Sequence, residues 1–165
     1  DPTHARAIEP SVPSPSRRFK TIRRLTDAGI PTTVNIAPVI PGLSDEDIPQ
    51  ILEAAKAAGA TSAGMILVRL PGSVKPVFEA RVREAFPDRA EKILNHIASC
   101  RGGNPQESRF GARMRGTGIQ WTIIAQLFER FHAKFGYEAP PVVPDPSPFR
   151  RPEKPSSQFS FDLSS

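Results

Sequence analysis

Thr32-Thr33-Val34-Asn35-Ile36-Ala37-Pro38-Val39-Ile40, closed by Pro41-Gly42, decides the fold together with residues 61–70, closed by Pro71-Gly72. The first stretch is rich in β-branched residues and reads as a strand. The second contains Met65-Ile66-Leu67-Val68, an unbroken apolar run of the kind found in strands buried on both faces of a parallel sheet. Between them, Ser44-Asp45-Glu46-Asp47 has the form of a helix start. Ser44 would cap, Asp47 would complete a capping box three residues on, and the acids would favour the positive helix end. Ile48, Ile51, Leu52 and Ala55 then follow at helical spacing, and Gly59 ends the run. A strand, a helix and a strand with short connections predict a right-handed crossover between parallel strands.

Working outward, Pro2, Pro10, Pro13 and Pro15 mark residues 1–16 as an irregular linker. Ser14 or Ser16 can cap a helix whose apolar stripe is Phe19, Ile22 and Leu25, with Gly29 and Pro31 ending it. Beyond the second strand, helices are predicted over Val74–Ala85, 88–99 and 119–135, with residues 101–118 irregular between the last two. Trp121, Ile124, Phe128, Phe131 and Phe135 form a stripe that should pack on the sheet or barrel wall. The proline- and serine-rich stretch 137–165 offers too little apolar surface to offset the entropy of ordering it, and reads as a disordered tail. Residues 17–136 are thus the foldable part. Two strands alone make a poor sheet with unpaired edges, so further strands are expected beside them.

The net charge of +5 and pI of about 9.9 permit contact with phosphate or nucleic acid. Arg17, Arg18, Lys20, Arg23 and Arg24 read as a solvated helix face. Arg101, Arg109, Arg113 and Arg115 lie among glycines. They form either a candidate anion-binding site or a loop that folds over the barrel and pairs with Glu107 or upstream residues. The lone cysteine, Cys100, forms no internal disulfide and no cysteine-ligated metal site, and reads as a buried or free thiol. A reduced, cytoplasmic setting fits it. His4, His96 and His132 lack ligand spacing. No signal-peptide pattern and no membrane span is expected.

Ligands of parallel α/β folds bind at the carboxyl ends of the strands. The turn at Pro41-Gly42 would bring backbone amides and a helix N-terminus together there, although a simple proline–glycine turn explains it as well. Strand alternation puts Asn35, Ala37 and Val39 on one face, with Val34, Ile36 and Ile40 on the other. With Asn35 pointing into a barrel, Met65, Leu67 and Arg69 would point inward too. Arg69, at the mouth, would either hold a carboxylate or phosphate bidentately or pair with an acid such as Asp45.

Ala37-Pro38-Val39-Ile40-Pro41-Gly42-Leu43-Ser44-Asp45, following Asp27-Ala28-Gly29-Ile30-Pro31, resembles the fifth-strand region of radical S-adenosylmethionine enzymes. The likeness is to the spore photoproduct lyase-like, or DNA-repair-photolyase-like, group. Asp1-Pro2 with Ala5-Arg6 and Glu9-Pro10, and then Pro13-Ser14-Pro15, looks like the segment after its fourth strand. Ala63-Gly64 with Arg69-Leu70-Pro71 looks like the sixth strand. Phe86-Pro87-Asp88-Arg89-Ala90, Arg101-Gly102-Gly103, Phe110-Gly111 and Arg113-Met114-Arg115-Gly116 look like its C-terminal region. The likeness runs in order over residues 1–136.

The resemblance implies an α/β fold, the C-terminal part of a partial (βα)6 TIM-like barrel. It also implies a [4Fe–4S] cluster and S-adenosyl-L-methionine as cofactors of a full-length protein, which together generate a 5′-deoxyadenosyl radical. By motif alignment the resemblance puts Val39, Ile40, Pro41, Leu67 and Arg69 near the adenine, and with the inward-facing Asn35 these are the cofactor-binding candidates. No CxxxCxxC occurs in the chain. A cluster with one open iron needs three thiolates. The chain alone is therefore expected to be inactive and to hold neither cofactor. Its expected partner is the missing N-terminal half of the same barrel. The alternatives are a basic nucleic-acid-binding module and a non-functional remnant.

Overall fold

The computed structural model describes residues 2–102, 115–139 and 150. Its order is α1 (Pro2–Ile8), α2 (Pro15–Asp27), β1 (Thr33–Val39), α3 (Ile48–Ala57), β2 (Ser62–Leu67), α4 (Val74–Ala85), α5 (Ala90–Ser99) and α6 (Gly118–Lys134). β1 and β2 pair in parallel on either side of α3. The α/β class and the strand–helix–strand order agree with the sequence.

α3 gives the core its centre. Ile48, Leu52 and Ala55 are wholly buried along one stripe. Burying a Leu or Ile side chain contributes roughly 1.5–3 kcal/mol. α6 lies on α3 and α5 through its aromatic stripe, with Ile124 buried and Trp121, Phe128, Phe131 and Phe135 packed around the core. α2 is the looser partner. Ser14 caps it by accepting from Arg17 N at 3.4 Å, yet none of its residues is fully buried and Leu25 is 37% exposed. Its ties to α3 are largely polar: Thr26 Oγ1 donates to Ala58 O at 2.9 Å, and the Arg23 guanidinium donates to Ala57 O. At Gly59, with φ +99, a Cβ would sit 2.6 Å from Thr26 Oγ1, so only glycine lets α2 and α3 approach this closely.

Several expectations are corrected. Residues 1–16 are not wholly irregular, because Pro2–Ile8 is helical. α1 leans on α4 and the turn after it: Arg81 Nε donates to Ala7 O at 2.8 Å, and the His4 ring meets Phe86 edge-on at 5.4 Å. The capping box does not form. Asp45–Asp47 is a short 3-10 turn, α3 begins only at Ile48, and Asp47 makes no side-chain cap bond. The physical reason is competition, since Ser44 and Asp45 bond the preceding turn instead. The boundary at residue 136 is also too early. Tyr137 is buried, and Glu138 bridges to Ser62. Residues 140–149 and 151–165, the rest of the expected tail, lie outside the described residues.

The facing of the strands is the largest correction. Val34 pairs with Ala63, Ile36 with Met65, and Val39 with Leu67, with an irregularity between Ile36 and Val39. Pro38 sits in that irregularity and has no N–H to give a ladder. The extra residue turns Val39 onto the same face as Ile36, opposite to Asn35. Met65 and Leu67 follow Ile36, not Asn35. One face of the sheet is therefore covered by helices, with Ile36, Val39, Ala63 and Leu67 buried. The other face is bare: Asn35 and Ala37 are exposed, while Gly64 and Ile66 are half-buried. Along the apolar run, Leu67 and the following Val68 are both buried, while Met65 and Ile66 are half-buried.

Candidate functional site

The carboxyl ends of β1 and β2 meet the turn Ile40 to Asp45. The amides of Ile40, Gly42, Leu43 and Ser44 are taken internally. Ser44 Oγ accepts from Ile40 N at 2.8 Å, and Asp45 Oδ1 accepts from Gly42 N at 2.8 Å. Ile40 O accepts from Leu43 N at 3.0 Å and from Ser44 N at 2.9 Å. A nest whose N–H groups are already bonded has little left to offer an anion. Asp45 thus staples its own turn and does not pair with Arg69.

α5 lies directly over this turn. Gly42 has φ +79, and a Cβ there would come within 3.0 Å of His96 Nδ1 and 3.7 Å of Ile93 Cα. Glycine is required both for the backbone conformation and for the close approach of the helix. Arg89 fixes the same contact, donating from Nη2 to Gly42 O at 2.8 Å and to Glu46 Oε1 at 3.1 Å.

Arg101 holds the end of β2. Its guanidinium is 6% exposed and donates from Nη2 to Val68 O at 2.7 Å and Leu67 O at 3.2 Å, and from Nη1 to Arg115 O at 3.3 Å. A buried cation held by backbone carbonyls is a structural tie. Of the two readings of Arg101, an anion site or a loop that folds over and pairs, its described bonds are of the second kind, joining β2 to the segment before α6. Arg115 is exposed and contributes its carbonyl to that tie. Arg109 and Arg113 lie outside the described residues. Cys100 is wholly buried, and burial pushes its thiol above the ordinary range, with Asp45 adding to the rise and the Ser99 hydrogen bond and Arg101 opposing it. A protonated, buried thiol is neither a nucleophile nor a ready metal ligand.

Of the six cofactor-binding candidates, Val39, Ile40, Pro41 and Leu67 are buried in the core of the chain. Their side chains back the end of the sheet and present no open surface to an adenine. Asn35 and Arg69 do have accessible surface. Asn35 lies opposite Gly64 on the bare face, where the missing side chain leaves room beside its amide. Arg69 makes no hydrogen bond or ion pair among the described residues, so its head is available at the mouth of the sheet. Sequence reasoning missed the parts played by Ser44, Asp45 and Arg89. The Pro-Gly-Leu-Ser-Asp order itself carried the signal, because Ser and Asp readily bond backbone amides a few residues away.

No described group of histidine, cysteine and acidic side chains could hold a metal ion. No described helix is long and apolar enough to cross a membrane.

No family model matches the chain. No solved structure matches it either. Over 90 residues, or 53% of its length, the chain is 34% identical to an uncharacterized protein of Mycobacterium bovis. Uncharacterized proteins of two Mycobacterium tuberculosis strains match to the same extent. The matched stretch is 26% of the length of each relative, so the chain spans about a quarter of the curated proteins it resembles.

Proposed function

We propose that this chain is the C-terminal part of a partial (βα)6 barrel belonging to a radical S-adenosylmethionine enzyme. The observation that carries the reading is the asymmetry of the β1–α3–β2 unit. One face of its sheet is clothed by helices, while the other is bare and carries Asn35, with Arg69 at the carboxyl end. A barrel wall has such a pair of faces, one toward helices and one toward the interior. The motif order along residues 1–136 and the greater length of the mycobacterial relatives support it.

The cofactors would be supplied with the remainder of the barrel. A cluster needs three thiolates, and this chain has Cys100 alone, buried. In enzymes of this class the cluster and S-adenosyl-L-methionine together supply a radical that abstracts hydrogen. This chain's own residues have two tasks. Val39, Ile40, Pro41 and Leu67 form the rigid backing of the sheet end. Asn35 and Arg69 present polar groups to the interior and its mouth, the latter suited to a carboxylate or phosphate. The single cysteine is in keeping with a reduced, cytoplasmic protein.

The test is anaerobic reconstitution of the product of the longest natural reading frame containing these residues, with iron and sulfide. A [4Fe–4S] signal by electron paramagnetic resonance and release of 5′-deoxyadenosine from S-adenosyl-L-methionine are expected. The 165-residue chain treated in parallel should retain no iron. A longer product that binds no cluster would overturn the proposal.

A further inference from the structure

β2 has two edges, and only one of them meets β1. The other is met at its first residue, Ser62, by the segment leaving α6. Glu138 forms a parallel bridge to Ser62, and its N–H donates to Thr61 O at 2.9 Å. So short a contact is held by an unusual number of others. Gly136 takes φ +62 and swings the chain off the end of α6. The Tyr137 ring is 8% exposed and stacks on His132 at 5.4 Å. Its hydroxyl donates to Leu52 O at 2.5 Å, reaching the core of α3. Lys56 lies over the ring at 5.0 Å from its centre and donates from Nζ to Gly136 O at 2.7 Å. Elements α3, α6 and β2 thus converge on three residues. The outer edge of β1, in contrast, pairs with no strand among the described residues.

Open strand edges template pairing with other chains, and folded proteins cover them with loops or helices. We infer that the Gly136–Glu138 clasp is an edge stop: it closes β2 to strand addition, so that the sheet can be extended only at β1. The inference is independent of the chemistry proposed for the whole protein, because it concerns backbone pairing alone. Its physical consequence is a bounded assembly. A chain with one open edge can at most pair once through that edge, whereas a chain with two open edges can add copies without end.

Sedimentation velocity of the 165-residue chain over a range of concentrations tests this, with hydrogen exchange followed at the Glu138 amide. The wild-type chain should keep a bounded size. Tyr137→Ala should release the Glu138 amide to rapid exchange, and its average mass should keep rising with concentration. Tyr137→Phe keeps the ring in place and should remain bounded. Should Tyr137→Ala fail to unfold cooperatively, Lys56→Ala loosens the same clasp from its solvent side and should show the same growth to a smaller degree. A variant whose Glu138 amide is released while its size matches the wild type at every concentration would overturn the inference.

Discussion

The two faces of the β1–β2 sheet are built from neighbouring residues of the same strands, yet they differ in nearly every physical respect. The covered face is Val34, Ile36 and Val39 against Ala63, Met65 and Leu67, backed by α3 and its stripe of Ile48, Leu52 and Ala55. The bare face is Asn35 and Ala37 beside Gly64 and Ile66. The covered face holds the stability of the chain. The bare face has little packing of its own and is where a further layer, or a ligand, would have to be added. The contrast extends to the sheet's edges, one clasped at Ser62 by the segment around Tyr137 and one without a strand partner among the described residues.

The largest expected effect lies on the covered side. Leu52→Ala removes a wholly buried side chain at the centre of the core, and denaturant unfolding should show a loss of roughly 2–5 kcal/mol. Ile66→Ala, the matched deletion toward the bare face, should cost clearly less in the same measurement. Equal losses would break the comparison.

Next comes Tyr137, whose hydroxyl is pushed up to about 12 by burial. The folded chain therefore holds this proton more tightly than the unfolded chain, whose tyrosine titrates near 10. The stabilisation is complete below pH 10 and is lost as the pH rises from 10 to 12, about 2–3 kcal/mol in all. Tyr137 is the only tyrosine, so its phenolate absorbance reports it without interference. A midpoint near 10 in the folded protein would show that the ring is not clasped. Tyr137→Phe should abolish this part of the alkaline loss of stability.

Arg101→Met removes the donors to Leu67 O and Val68 O. Thermal unfolding should register a loss of about 1–3 kcal/mol, because buried carbonyls lose their partners. Arg101→Lys should recover little of it, since one ammonium cannot reproduce the fork. Smallest of all, Asn35→Ser on the bare face should change stability by under about 0.5 kcal/mol. A large loss there would mean that Asn35 is a structural residue.

Much of the fold was legible because it depends on local pattern. The stripe of α3, the Pro-Gly turns, the Ser14 cap and the bounds of α4 all rest on residues close in sequence. The facing of β1 was not legible, because alternation assumes an unbroken ladder and Pro38 breaks it. The use of Ser44 and Asp45 was misread because one short polar side chain can cap a helix ahead of it or bond a turn behind it. Arg101 and Tyr137 escaped for a different reason. Their partners, at Val68 and Leu52, lie far away in sequence, and only the folded chain brings them together. The candidate site was legible in its location, at the end of the strands, but not in which side chains remain open there.

Thiol labelling of Asn35→Cys and Ile66→Cys tests the central claim most directly. It would be measured in the 165-residue chain and in the product of the longest natural reading frame, with buried Cys100 as the unreactive internal standard. If the bare face is the interior wall of a barrel, both cysteines label readily in the short chain and become strongly protected in the longer one. Equal labelling in the two proteins would contradict the account, because the bare face would then be an ordinary outer surface.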